Sequence, residues 1–210
     1  PYSTDYLLLT KYDMDGNLLI SNFLPDYHAD HYDDMIINST GSGYQIIGDI
    51  NISPGFTKSL FEIDTMLNIS ETIINLGSQN VLSGTVSAKW INNNRLIVSN
   101  IEDSETPGAY HDLELRLIDQ DYNLIKDTVF FEPGRVYTPT YKGMDFIYED
   151  LIWTCAFEDD IFNWQADHTF KVYLFDSELN VLGEKTLGGD SHWWLTHLRA
   201  TTDGGCIITG

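Results

Sequence analysis

Short apolar runs alternate along this chain with clusters of Asp, Asn and Gly, and the alternation repeats. Four runs, at 6–12, 59–63, 113–118 and 170–175, each end at an Asp. Four positions later an Asn opens the next run, giving the pairs Asp13/Asn17, Asp64/Asn68, Asp119/Asn123 and Asp176/Asn180. Successive Asn lie 51, 55 and 57 residues apart. Asp and Asn suit a tight turn because their short side chains bond nearby backbone N–H groups, and Asn tolerates positive φ. Each pair therefore predicts a β-hairpin. The first, Asp13-Met14-Asp15-Gly16-Asn17, begins like a calcium loop but lacks the rest of the twelve-residue pattern and its distal Glu. It too reads as a hairpin.

A second set of runs, at 44–48, 95–99, 151–155 and 206–210, keeps step with the first at intervals of 51, 56 and 55 residues. Each follows a turn-forming stretch: Thr40-Gly41-Ser42-Gly43, Asn92-Asn93-Asn94, Tyr148-Glu149-Asp150 and Thr202-Asp203-Gly204-Gly205. Apolar, β-branched runs bounded by Gly, Asn and Asp predict strands. An array of such units, roughly 50 residues each, is the mark of a β-propeller built from four-stranded blades.

With the strands of a blade labelled A to D from the central channel outwards, the Asp/Asn hairpins join C to D and the other turns join A to B. This places full blades at roughly 27–76, 82–131 and 137–187, a C–D half-blade in 1–24 and an A–B half-blade in 194–210. The predicted fold class is all-β: one propeller array of about four blades of four antiparallel strands, spanning 1–210. The complementary halves suit either a closed four-bladed ring or an arc of a propeller with about six to eight blades. The end at Gly210, within strand B, favours the arc.

Hydrophobic residues make up 42% of the chain and charged ones 20%, enough to bury a core. No apolar run approaches the roughly 18–20 residues of a membrane span. The chain opens on Pro1 without a signal-like segment, which predicts processing or excision from a longer protein. Eleven basic residues against 32 acidic ones give a net charge of −21. That charge argues against nucleic acid and anionic membrane surfaces as partners, and suits solubility, a cation or a basic polypeptide. Cys155 and Cys206 fall on equivalent strands of different blades, which predicts buried free thiols and no disulfide.

On this layout the A–B and C–D turns share one face and are short. The B–C and D–A connections, at 23–34, 51–58, 100–112, 132–139, 157–169 and 188–193, share the other and are longer. Long loops on a rigid scaffold usually carry function. These hold five of the six histidines, two tryptophans and much of the acid. The candidate ligand-binding residues are therefore His28, His31, Trp164, His168, His192 and Trp193. The stretch from Asp26 to Asp34 is the best metal pattern, but His spacing on a loop fixes no coordination geometry. No metal ligand, catalytic residue or cofactor is assigned.

The wording at the two ends, Thr201-Thr202-Asp203-Gly204-Gly205-Cys206-Ile207-Ile208-Thr209-Gly210 and Leu9-Thr10-Lys11-Tyr12-Asp13-Met14-Asp15-Gly16-Asn17, resembles the blades of large secreted propeller proteins of Bacteroidota. Those blades read Thr-x-Asp-Gly-Gly, an apolar strand ending in Gly, then Lys-x-Asp-x-x-Gly-Asn. The resemblance implies the fold and a secreted or cell-surface address, and brings no catalytic residues with it. The middle units replace the Gly pair by Asn92-Asn93-Asn94 and Glu149-Asp150.

Two functions follow as expectations. One is a non-enzymatic binding or scaffold module whose long-loop face takes a protein or a neutral glycan, with a basic partner favoured by the charge. The other is a propeller-fold glycosidase or lyase, which needs two carboxylates about 5–9 Å apart at the channel mouth. Residues 201–205 match only the first half of a sialidase Asp-box, and of four arginines only Arg135 falls in a long loop. The binding module is the favoured reading.

Overall fold

A computed structural model describes residues 6–52, 55–69, 85–102, 112–130, 135–160, 169–190 and 195–210. Every regular element among them is a strand, and all pairings are antiparallel. A first sheet holds β1 (Tyr6–Tyr12), β2 (Leu18–Ile37), β3 (Gly43–Ile52) and β4 (Gly55–Asp64) in chain order. A second holds β5 (Thr85–Ile91), β6 (Arg95–Glu102), β7 (Asp112–Asp119) and β8 (Leu124–Phe130). The third holds β9 (Arg135–Asp145), β10 (Ile152–Asp160), β11 (Thr169–Phe175) and β12 (Val181–Gly188). β13 (His197–Ala200) and β14 (Cys206–Thr209) form a two-stranded ribbon.

The Asp/Asn pairs close four turns of one geometry. In each, the Asp N–H donates to the Asn carbonyl, at 2.9 Å in three turns and 3.1 Å at Asp176. The Asp carboxylate in return accepts the Asn backbone N–H at 2.8 Å and its side-chain amide. Positive φ falls one residue earlier than the sequence reading placed it: at Gly16 (84°), Leu67 (64°), Tyr122 (63°) and Leu179 (58°), not at the Asn. The cause is a type I turn followed by a left-handed bulge residue, which leaves the Asn extended and free to bond back. Leu67 and Leu179 are buried, so packing offsets the cost of a branched side chain in that region.

These bonds hold the four carboxyls below their ordinary value of 3.8. The Asn side chain is the main cause at Asp13, Asp64 and Asp176, and the Asn123 backbone N–H at Asp119. A carboxyl depressed on folding stabilises the fold above its unfolded value, and that contribution fades as pH falls through the folded one. Stability is therefore expected to decline below about pH 4. Asp119→Asn combined with Asp176→Asn should make the acid limb of a urea-midpoint-against-pH curve shallower.

The sheets pack in series, each against the next. Neighbouring residues on one strand enter different cores, as the two-residue period of a strand requires. On β3, Ile46 joins Leu7, Leu9 and Phe61, whereas Ile47 joins Ala88, Leu96 and Ile118. On β6, Leu96 and Val98 face the first sheet, and Ile97 faces Met144, Phe146 and Phe175 of the third sheet and its following turn. On β10, Ala156 faces back to Leu115 and Leu117, and Cys155 faces forward to Leu195 and Leu198. Cys206 packs beside the core that holds Cys155; the two form no disulfide, as expected, but only Cys155 is buried, Cys206 being half-buried. The middle strands are thus buried on both faces. The last strands of the second and third sheets are not: β12 is exposed along most of its length, and β8 alternates between exposed and half-buried residues.

β2, whose second part opens the β2–β3–β4 run of the first sheet, and β5, β9 and β13, which open the other sheets, are termed the first strands. β2 with β5, β5 with β9 and β9 with β13 approach within 8 Å between Cα atoms, as do β2 and β9. Polar side chains bridge the same gaps at close to one repeat of separation. Trp90 Nε1 donates to Gln45 Oε1 (2.6 Å), Lys126 Nζ to the Glu178 carbonyl (2.6 Å), and Trp153 Nε1 to the Gly204 carbonyl (3.0 Å).

Three expectations need correction. Segment 23–34 is not a loop: β2 runs unbroken for 20 residues, pairing with β1 in its first part and β3 in its second. Register shifts absorb the bend between those partners. Segment 51–58 is not a long connection either, because β3 and β4 stay paired up to Ile52 and Gly55. Arg135 opens a strand. Of the two arrangements left open for the half-blades, among the described residues β14 pairs only with β13 and β1 only with β2, so no strand pairing closes a ring.

Candidate binding site on the first strands

Each of these four strands carries a charged residue at a corresponding place in the repeat: Asp34 on β2, Lys89 on β5, Lys142 on β9 and Arg199 on β13. Their spacings are 55, 53 and 57 positions, the length of the repeat. Convergence of these strands brings all four, with Asp145, to the wall of one cavity of about 580 Å³. Asn38 and Asn93, in the turns that follow β2 and β5, stand at its short-turn end.

The two carboxylates act first as clamps between sheets. Asp34 Oδ2 accepts the Ala88 N–H at 3.1 Å and the Ser87 hydroxyl at 3.2 Å, while Oδ1 accepts the Met35 N–H at 2.9 Å. Asp145 Oδ2 accepts the Ala200 N–H at 3.0 Å, and Oδ1 accepts Lys89 Nζ at 2.7 Å. Lys89 also donates to the Phe146 carbonyl and lies 4.6 Å from the centre of the Phe146 ring. Burial pushes the Asp34 carboxyl up, against the lowering effect of its N–H and hydroxyl donors and of the nearby Lys142 charge.

The other two cations are differently placed. Arg199 Nη1 lies 3.9 Å from Asp145 Oδ2, and its side chain is 62% exposed. Lys142 has a backbone φ of 53° within a bulge of β9, where residues 140–143 oppose Cys155 alone. Bulges of this kind re-aim a side chain, and a non-glycine residue at such φ is costly unless its surroundings impose it. Among the described residues Lys142 has no hydrogen-bond or ion-pair partner, and its interaction with Asp34 is Coulombic. The wall between the charges is apolar. Met35 is 60% exposed, Ile37 63%, and Trp90 stands beside them.

Of the residues singled out from sequence, His28 and His31 lie in β2, their backbones paired with Tyr6 and Asp49 respectively. Their side chains lie outside the described residues, as do Trp164, His168, His192 and Trp193 altogether. His197 occupies β13, the strand position expected for it. Residues 201–205 form the β13–β14 turn, with Asp203 bonded to Thr201 and the Gly205 N–H, so the Asp-box likeness reflects a turn. Among the described residues no group of three or more His, Cys, Asp and Glu side chains gathers as a metal would require.

The cavity on the first strands was missed because Asp34 read as part of a loop, while Lys89, Lys142 and Arg199 lie far apart in sequence and were given no role. The signal was nonetheless present: in a chain with only 11 basic residues, three recur at the repeat length on successive first strands. No known protein-family model matches the chain, and no curated protein is significantly similar to it.

Proposed function

We propose that this chain is a non-enzymatic binding or scaffold module of a secreted or cell-surface protein, its stacked sheets being blades of a β-propeller. What supports the propeller is the packing: sheets in series, middle strands buried on both faces, and first strands converging while last strands face solvent. The address rests on the likeness to secreted propeller blades. The observation that carries the binding reading is the use of the carboxylates: both Asp34 and Asp145 are committed to N–H donors of a neighbouring sheet. A nucleophile or base needs a free oxygen facing its substrate. A second reading, glycoside cleavage, draws on these same two carboxylates in one cavity, Asp34 being the one whose carboxyl is pushed up.

A protein or neutral glycan is the expected macromolecular ligand, with His28, His31, Trp164, His168, His192 and Trp193 as the contacts expected from sequence. With a net charge of −21, a basic protein should bind more weakly as salt rises, and heparin should not bind at low salt. Titrations against a basic protein, a panel of neutral glycans and heparin test this, together with a hydrolysis screen of the same glycans. Turnover that disappears in both Asp34→Asn and Asp145→Asn would favour the enzyme. Tight heparin binding would place the ligand face wrongly.

A further inference from the structure

We infer that the cavity between the first strands is a receptor for a small monocarboxylate with an apolar body, held by Lys142 and Arg199. Three cations and two carboxylates line it, so its fixed charges leave one positive charge unmatched. Lys89 is taken up by Asp145 and the Phe146 carbonyl. Lys142 and the exposed guanidinium of Arg199 are the donors that remain for an incoming anion. An ionised acceptor on such donors forms the strong class of hydrogen bond, and an arginine can offer a carboxylate two parallel N–H groups.

The surroundings select among anions. A second negative charge would meet Asp34 and Asp145 without a cation to balance it, in a molecule already at −21. Dianions such as phosphate at neutral pH are therefore disfavoured. Met35, Ile37 and Trp90 offer apolar surface next to the cations, which a purely polar anion would leave uncovered. The left-handed φ at Lys142 has a reason on this reading, since the bulge sets a cationic residue on the cavity wall.

The inference rests on the binding-module reading only in treating the cavity as a receptor, and calorimetry separates the two. Benzoate is the probe, with benzamide as its neutral isostere and phthalate and inorganic phosphate as dianions. Benzoate is expected to bind with a Kd of about a millimolar, as befits so small a ligand. Benzamide, phthalate and phosphate should each bind at least about tenfold more weakly. Lys142→Gly should weaken benzoate about tenfold without loss of stability, because glycine accepts the left-handed φ. Lys142→Arg should retain binding.

Should Lys142→Gly fail to fold, Arg199→Gln, at an exposed side chain, carries the same expectation. Equal affinity for benzoate and benzamide, tighter phosphate, or no benzoate binding would overturn the inference. Protein or glycan binding that persists in any of those cases would leave the module reading standing. Loss of that binding with benzoate retained would do the reverse.

Discussion

Truncating Leu96 to Ala is expected to cost about 3 kcal/mol, and truncating its neighbour Ile97 about as much, through two different cores. Both side chains are fully buried. Leu96 packs with Ile36, Ile47 and Leu60 of the first sheet, whereas Ile97 packs with Met144, Phe146 and Phe175 across the next gap. Adjacent residues ordinarily couple, but these two share no packing partners, so their losses should add to within about 0.5 kcal/mol. The paired Ala variant would lose some 6 kcal/mol, close to the whole stability of many domains. Leu96→Ala with Ile97→Val is the practical test of additivity, the Val change costing about 1 kcal/mol. Urea melts give the three values. Strong non-additivity would mean that β6 is not buried between two separate cores.

Asp145→Ala should have the second large effect. It removes the acceptor of the Ala200 N–H and the counter-charge of Lys89 at one stroke. Breaking a buried ion pair costs about 3–5 kcal/mol. The Lys89 side chain is 40% exposed and can regain water, so about 2–3 kcal/mol is expected here. Asp145→Asn should cost less, because an amide oxygen can still accept the Ala200 N–H. The loss should be local as well as global. Amide exchange on β13 and β14 should quicken more than exchange on β6 and β7, since Asp145 bonds the ribbon directly. Uniform acceleration across all sheets would show that the ribbon is not tied through this carboxylate.

The strands and short turns were legible because they rest on local chemistry. Each Asp/Asn pair makes its own bonds within five residues, so the hairpins at Asp13, Asp64, Asp119 and Asp176 could be read one at a time. The bulge residue was not legible, since Gly16 signals left-handed φ but Leu67, Tyr122 and Leu179 occupy the same position through packing. Segment 23–34 was misread for a related reason. Its polar run, Asp26 to Asp34, imitates a loop, yet pairing to β1 and β3 on either side makes it strand. The charged first-strand positions were visible as residues but not as a site. Only the convergence of β2, β5, β9 and β13 gives Asp34, Lys89, Lys142 and Arg199 a common cavity.

Convergence of the first strands and divergence of the last is the claim on which both the propeller and the cavity depend. Pulsed electron–electron resonance on spin-labelled pairs measures it most directly, in a background of Cys155→Ala and Cys206→Ser. Across the second and third sheets, one pair of labels would sit at Asn93 and Ile147, in the turns that follow β5 and β9. The other would sit at Val129 and Leu182, exposed on the last strands β8 and β12. Blades fanned around a common axis require the Val129–Leu182 separation to exceed the Asn93–Ile147 separation by several ångströms. Equal separations, as in two sheets stacked flat about 10 Å apart, would contradict the fan and with it the shared cavity.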